Sequence, residues 1–154
     1  MFYYDVNAAQ TTNGTANTEN QSARFLTVAN QRTAGIMGLY ASARMTAAGG
    51  LIMRLNTMAV AGTAGSAYTP GKRDPDAPAA GTTVFTAHTV GTTPKTRMHV
   101  GVAAQGGYGG WFAATQEQSV ILKPNGGATG NAELTNIAGL ASVNFDFSME
   151  FAEF

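Results

Sequence analysis

At 154 residues the chain is about one domain long and can bury a sizeable core without help. It has no cysteine, which excludes disulfide staples and thiolate metal sites and leaves stability to packing, backbone pairing or assembly. Nine Lys and Arg balance nine Asp and Glu, so there is neither a basic field for nucleic acid nor an acidic tail, and charged residues make up only 12% of the chain against about 25% in an average soluble domain.

A neutral surface with so few charges does little to oppose self-association, which points to a protein largely covered by partners. The alternative is a neutral monomer whose Thr, Asn, Gln and Ser residues solvate it. There is no apolar run of the roughly 18 residues that a membrane span needs. The start, Met1-Phe2-Tyr3-Tyr4-Asp5, has neither the basic residue nor the apolar stretch of a signal peptide, so a protein made and kept in the cytosol, unless something larger carries it out, is expected.

In chain order, residues 7–22 hold no large apolar side chain and are dominated by Thr and Asn, which predicts an extended N-terminal arm over residues 1–22 ahead of a single domain over 23–154. Phe2, Tyr3 and Tyr4 at its tip are either anchors on a neighbouring subunit or rings packed back on their own domain.

From Arg24 onward, short period-two runs rich in β-branched and aromatic residues are separated by glycine clusters, the pattern of a sandwich or barrel. Residues 25–28, 84–87 and 119–122 are short candidate strands. Residues 36–45 carry alanines that suit a helix, but Gly35, Gly38 and the following Gly49-Gly50 favour a strand. Leu51, Met53 and Leu55 alternate with Ile52, Arg54 and Asn56, and Met98, Val100 and Val102 alternate with Arg97, His99 and Gly101. The strongest signal is residues 143–151, where Val143, Phe145, Phe147, Met149 and Phe151 alternate with Asn144, Asp146, Ser148 and Glu150. Gly49-Gly50, Gly106-Gly107, Gly109-Gly110 and Asn125-Gly126-Gly127 read as turns between such runs. The expectation is an all-β fold, an antiparallel, jelly-roll-like β-sandwich of about seven to nine strands.

Residues 61–83 break the pattern with three of the five prolines and the charges Lys72, Arg73, Asp74 and Asp76. Proline at this density predicts a long surface loop without ladder or helix, either a binding loop or a solvated excursion. Tyr68, Lys72 and Arg73 are its candidate partner contacts.

Signals for catalysis are weak. His88 and His99 have no HxxxH, HExxH or GxSxG partner in the sequence, and Asp74 with Asp76 lacks the further acidic positions of a calcium loop. The segment from Gly106 to Trp111 is glycine-rich, but no Lys-Ser/Thr follows it and no helix opens after it, so a phosphate cradle lacks its support. Its Tyr108 and Trp111 read as rings held at a turn, capping the core or meeting a partner or sugar. No enzyme activity, cofactor or metal is expected, and the charge balance argues against direct nucleic-acid binding.

The run Ala-Gly-Gly-Leu-Ile-Met-Arg-Leu over residues 48–55, the proline-rich segment 69–78 and the end from Leu122 to Phe151 resemble small virion proteins of tailed bacteriophages, of the capsid decoration or cement type. The resemblance lies mainly in the C-terminal half. It implies a structural, homo-oligomeric protein, commonly a trimer, placed on the capsid exterior between major capsid protein subunits, with an arm reaching across neighbours. The other function classes are a tail, fibre or head-spike module that binds host-surface glycans, and a shell-forming coat protein.

Overall fold

A computed structural model describes residues 1–27, 32–44, 49–60, 62–87, 91–103, 107–124 and 131–154. Twelve strands are seen among them: β1 (Phe2–Thr11), β2 (Asn20–Leu26), β3 (Ala34–Ala43), β4 (Leu51–Val60), β5 (Ser66–Tyr68), β6 (Gly71–Lys72), β7 (Thr83–Thr86), β8 (Thr92–Val102), β9 (Tyr108–Phe112), β10 (Val120–Leu122), β11 (Asn131–Ala138) and β12 (Asn144–Glu153). Val28, Met45, His88, Gly106 and the Asn125-Gly126-Gly127 turn of the sequence reading lie outside the described residues.

The strands form two six-stranded antiparallel sheets that pack face to face, the all-β sandwich that the alternation predicts, with more strands than the expected seven to nine. In the first sheet the order is β10-β3-β12-β1-β6, with β9 pairing β3 beyond β10; in the second it is β5-β7-β2-β11-β4-β8. Among the described residues no two consecutive strands pair with each other, so every ladder joins segments remote in sequence. Gly49-Gly50 accordingly lies on the crossing from β3 of the first sheet to β4 of the second rather than in a tight hairpin.

The core lies between the sheets and follows period two. On β12, Phe145, Phe147, Met149 and Phe151 point inward; facing them from the second sheet are Phe25, Leu51, Met53, Leu55 and Leu134, all fully buried. Phe151 stacks on Tyr4 at 5.2 Å and meets Phe25 edge-on at 5.9 Å, linking the two sheets through three rings.

The predicted N-terminal arm is not an arm. Residues 2–11 form β1, which pairs with β12 along its full length, from Phe2 opposite Glu153 to Thr11 opposite Asn144. Tyr4 and Val6 enter the core, and Ala8 and Gln10 continue the same inward phase. The polar composition misled because the ladder needs backbone more than side chains: Gln10 Nε2 donates to the Ser22 carbonyl at 2.8 Å instead of filling core space. The rest of the segment, residues 12–19, crosses to the second sheet and is tied down where the Thr12 N–H donates to Val143 O and the Asn17 N–H to Ala138 O.

Residues 61–83 also depart from expectation. They carry two short edge strands, β5 on the second sheet and β6 on the first, so the segment is a strap that closes one side of the sandwich. Prolines 70, 75 and 78 fall outside both strands, which removes the conflict between proline and pairing. The strap is anchored by the fully buried Glu153, whose carboxylate accepts from Gly81 N at 3.1 Å and Thr82 N at 2.6 Å. Tyr4 Oη donates to Pro78 O at 3.0 Å and Tyr68 Oη to Asn7 O at 2.8 Å.

Candidate functional site

The two outward faces of the sandwich differ. On the second sheet, Arg24 and Glu133 sit opposite each other on β2 and β11 and are nonetheless buried. The chain around Gly62 and Gly91 covers them: Glu133 accepts from Gly62 N at 3.2 Å and from Gly91 N at 2.9 Å. Arg24 donates to Asn131 Oδ1 at 2.8 Å and to Gly62 O at 2.6 Å. This polar layer clamps connecting segments onto the sheet.

On the first sheet the register builds open rows across four strands. One row runs Tyr108, Ser42, Asp146 and Ala9; the next runs Gly110, Tyr40, Ser148 and Asn7; a third runs Phe112, Gly38, Glu150 and Asp5. The first two rows enclose a trough of about 470 Å³ with small residues on its floor and the two tyrosine rings above it. Tyr108 is 87% exposed and Tyr40 41%. Asp146 is held by Arg44, with Nε 3.2 Å from Oδ2 and Nη2 3.2 Å from Oδ1.

Glycines set the position of Tyr40. A Cβ at Gly110 would lie 2.6 Å from Tyr40 Cδ1, and one at Gly38 would lie 3.2 Å from Tyr40 Cε2, so the ring lies flat over two residues that have no side chain. On the opposite side of β9, a Cβ at Gly109 would come within 2.4 Å of the Gly101 carbonyl oxygen on β8. The predicted glycine-rich turn at 109–110 is thus strand β9, whose glycines allow a close approach of backbone on one face and of a ring on the other.

A second surface lies on the side of the sandwich opposite the strap. The Gly101–Gly109 approach joins the edges of the two sheets at one point. Farther along, β8 of the second sheet and β10 of the first stand apart around a groove of about 440 Å³, lined by Arg97 and Met98 on one side and residues 118–121 on the other, with Trp111 and Thr57 between. Both β8 and β10 are edge strands among the described residues, and Ile121 is exposed on this side.

The residues singled out as partner contacts separate accordingly. Tyr4 is fully buried in its own core, which corrects its assignment as an anchor on another subunit. Phe2 is half-buried, with the Arg32 guanidinium 4.7 Å from its ring centroid. Tyr68 and Trp111 are half-buried and packed against the core. Tyr3, Lys72, Arg73 and Tyr108 are exposed, and Arg73 pairs with Glu150 across to β12. Tyr40, Phe112 and Ile121, which the sequence did not single out, are exposed too. His99 lies exposed on β8, and Asp74 Oδ1 accepts from the Asp76 backbone N–H in a local turn. Among the described residues, no group of three or more His, Asp or Glu side chains is placed to hold a metal ion, and no helix is long and apolar enough to cross a membrane.

No family model matches the chain, and no curated protein does. A search of solved structures aligns it with the 2.6 Å structure of T=1 particles derived from infectious bursal virus, over 97% of this chain and 40% of that one, at 10% identity and a TM-score of 0.16. The chain thus spans well under half the length of that capsid chain, and the score is too low to assign a fold or a function.

Proposed function

We propose that the protein is a non-enzymatic virion structural protein, a capsid decoration protein that bridges and stabilises major capsid protein subunits as a homo-oligomer on the capsid exterior. The open side of the sandwich carries this proposal. There two strand edges that are unpaired among the described residues, β8 and β10, flank an apolar-and-polar groove on a protein with only 12% charged residues. Exposed strand edges invite pairing, and an extended segment of a capsid subunit laid in the groove would satisfy them by strand addition. Pro94, Lys95 and Arg97 on β8 discourage indiscriminate edge-to-edge pairing, while Met98, Trp111 and Ile121 give the groove apolar contacts beside its polar ones. Repetition over a shell turns a moderate contact into firm reinforcement.

The test is sedimentation of the purified protein with empty expanded phage shells, alongside its mass in free solution. Saturable binding at a fixed ratio to shell subunits is expected, and Ile121→Asp, at an exposed position, weakens it without unfolding the domain. A well-behaved monomer that leaves the shells bare would overturn the proposal.

A further inference from the structure

The trough on the first sheet lies on a different surface from the groove just described, and its chemistry is different. Its floor is Ala9, Ser42 and Ser148; its rims are the rings of Tyr40 and Tyr108; its polar end is Asp146, fixed by the two-point contact from Arg44. We propose that this trough binds a neutral pyranose within an oligosaccharide, an activity separate from attachment to a shell.

Three observations select this ligand class. First, the rings have different supports. Tyr40 lies over Gly38 and Gly110, while Tyr108 stands out at 87% exposure, diagonal to Tyr40 across one ladder. A sugar ring presents an apolar C–H face to such aromatics and its hydroxyls to the groups beside them. Second, the lining sets the hydroxyls of Ser42 and Ser148 and the amide of Asn7 among small alanines and Phe147, with the Asp146 carboxylate within it. The buried centre of a protein–protein contact is depleted in charge, so this lining suits a polyhydroxylated ligand better than an apolar protein surface. Third, Asp5, Asp146 and Glu150 all face outward on this sheet, with Arg44 and Arg73 paired to the last two. The residual negative charge disfavours anionic sugars. A volume of about 470 Å³ falls within the roughly 300–1,000 Å³ of small-ligand sites.

The test is a two-dimensional NMR titration of the protein, free of any shell, with maltohexaose, cellohexaose and N-acetylchitohexaose, and with sialyllactose as the anionic control. At least one neutral oligosaccharide is expected to give saturable shifts centred on residues 40–42, 108–110 and 146–148 at millimolar concentration, with sialyllactose weaker. Tyr108→Ala should weaken that binding by roughly tenfold with an unchanged melting temperature, because the side chain supports nothing in the fold. Asp146→Asn should weaken it by a smaller factor. The proposal fails if no neutral oligosaccharide saturates, if sialyllactose binds best, or if Tyr108→Ala leaves binding intact. It also fails if no sugar binds and Tyr108→Ala abolishes shell binding, since the trough would then be a protein-docking surface. Sugar binding and shell attachment are read in separate experiments, so the failure of one leaves the other standing.

Discussion

The two outward faces of the sandwich solve the same problem in opposite ways. Both sheets carry polar side chains outward, but the second sheet buries Arg24 and Glu133 beneath the segments at Gly62 and Gly91, while the first leaves Tyr40, Tyr108 and Phe112 exposed. A covered face needs its charges satisfied by backbone groups, as Glu133 is by two N–H donors. An open face needs no such clamp and keeps its side chains available. The lesson is that low charge content does not make the whole surface alike: part is sealed by the chain itself, and part is left for other molecules.

The largest way to break this contrast is to open the sealed face. Glu133→Ala removes the acceptor for Gly62 and Gly91 and strands the buried Arg24 layer, which should cost roughly 3 kcal/mol in denaturant unfolding. It should also expose amides of residues 62–65 to exchange. A loss below experimental error would mean that the covering segments hold without their clamp.

Glu153→Gln tests the analogous anchor of the strap. The amide has a single acceptor oxygen, so it keeps only one of the two bonds from Gly81 N and Thr82 N, turns its NH2 toward the other donor and loses the ion pair to Arg32; a cost of about 1–2 kcal/mol is expected in the same measurement. The strap should loosen without disturbing β8 or β10.

Tyr4 links the strap to the core and gives a pH signature. Burial, reinforced by the Glu153 carboxylate, raises its phenol above the usual 10.0. A proton held more tightly in the folded chain leaves stability intact below pH 10 and removes it as pH rises through the raised value. Tyr4→Phe should cost about 1 kcal/mol at neutral pH through the lost bond to Pro78 and should flatten the alkaline decline in melting temperature. An unchanged alkaline decline would assign it to other groups.

The smallest stability effect belongs to the open face. Tyr108→Ala should stay within about 0.5 kcal/mol of the parent, the range of substitutions away from packed or clamped positions. Its consequence should appear in binding alone. A large loss of stability would show that the open face is structural after all.

How much of this was legible in the sequence depended on whether one face of a strand meets water. Residues 143–151 advertised β12 because the outward positions Asn144, Asp146, Ser148 and Glu150 remain at least partly solvated, and β4 and the C-terminal half of β8 were legible for the same reason. β11 gave no such signal. Its outward Glu133 and Thr135 and its inward Ala132, Leu134 and Asn136 are all buried, so polar and apolar residues no longer sort by face. β1 was obscured because only its first half carries large inward side chains, and β9 because glycines needed for close packing look like turn glycines. Of the trough, Tyr108 stood out among its glycines. Tyr40 joins it only through the pairing of β3 with β9 and β12, a register that the sequence does not disclose.

The most direct test of the proposed attachment is amide hydrogen exchange of the protein with and without empty expanded shells. Slowed exchange on binding, concentrated in Thr92–Val102 of β8 and Val120–Leu122 of β10, with residues 7–9 and 146–148 on the first sheet's outer face unchanged, is the predicted result. Protection confined to the first sheet's outer face, with β8 and β10 unaffected, would contradict it.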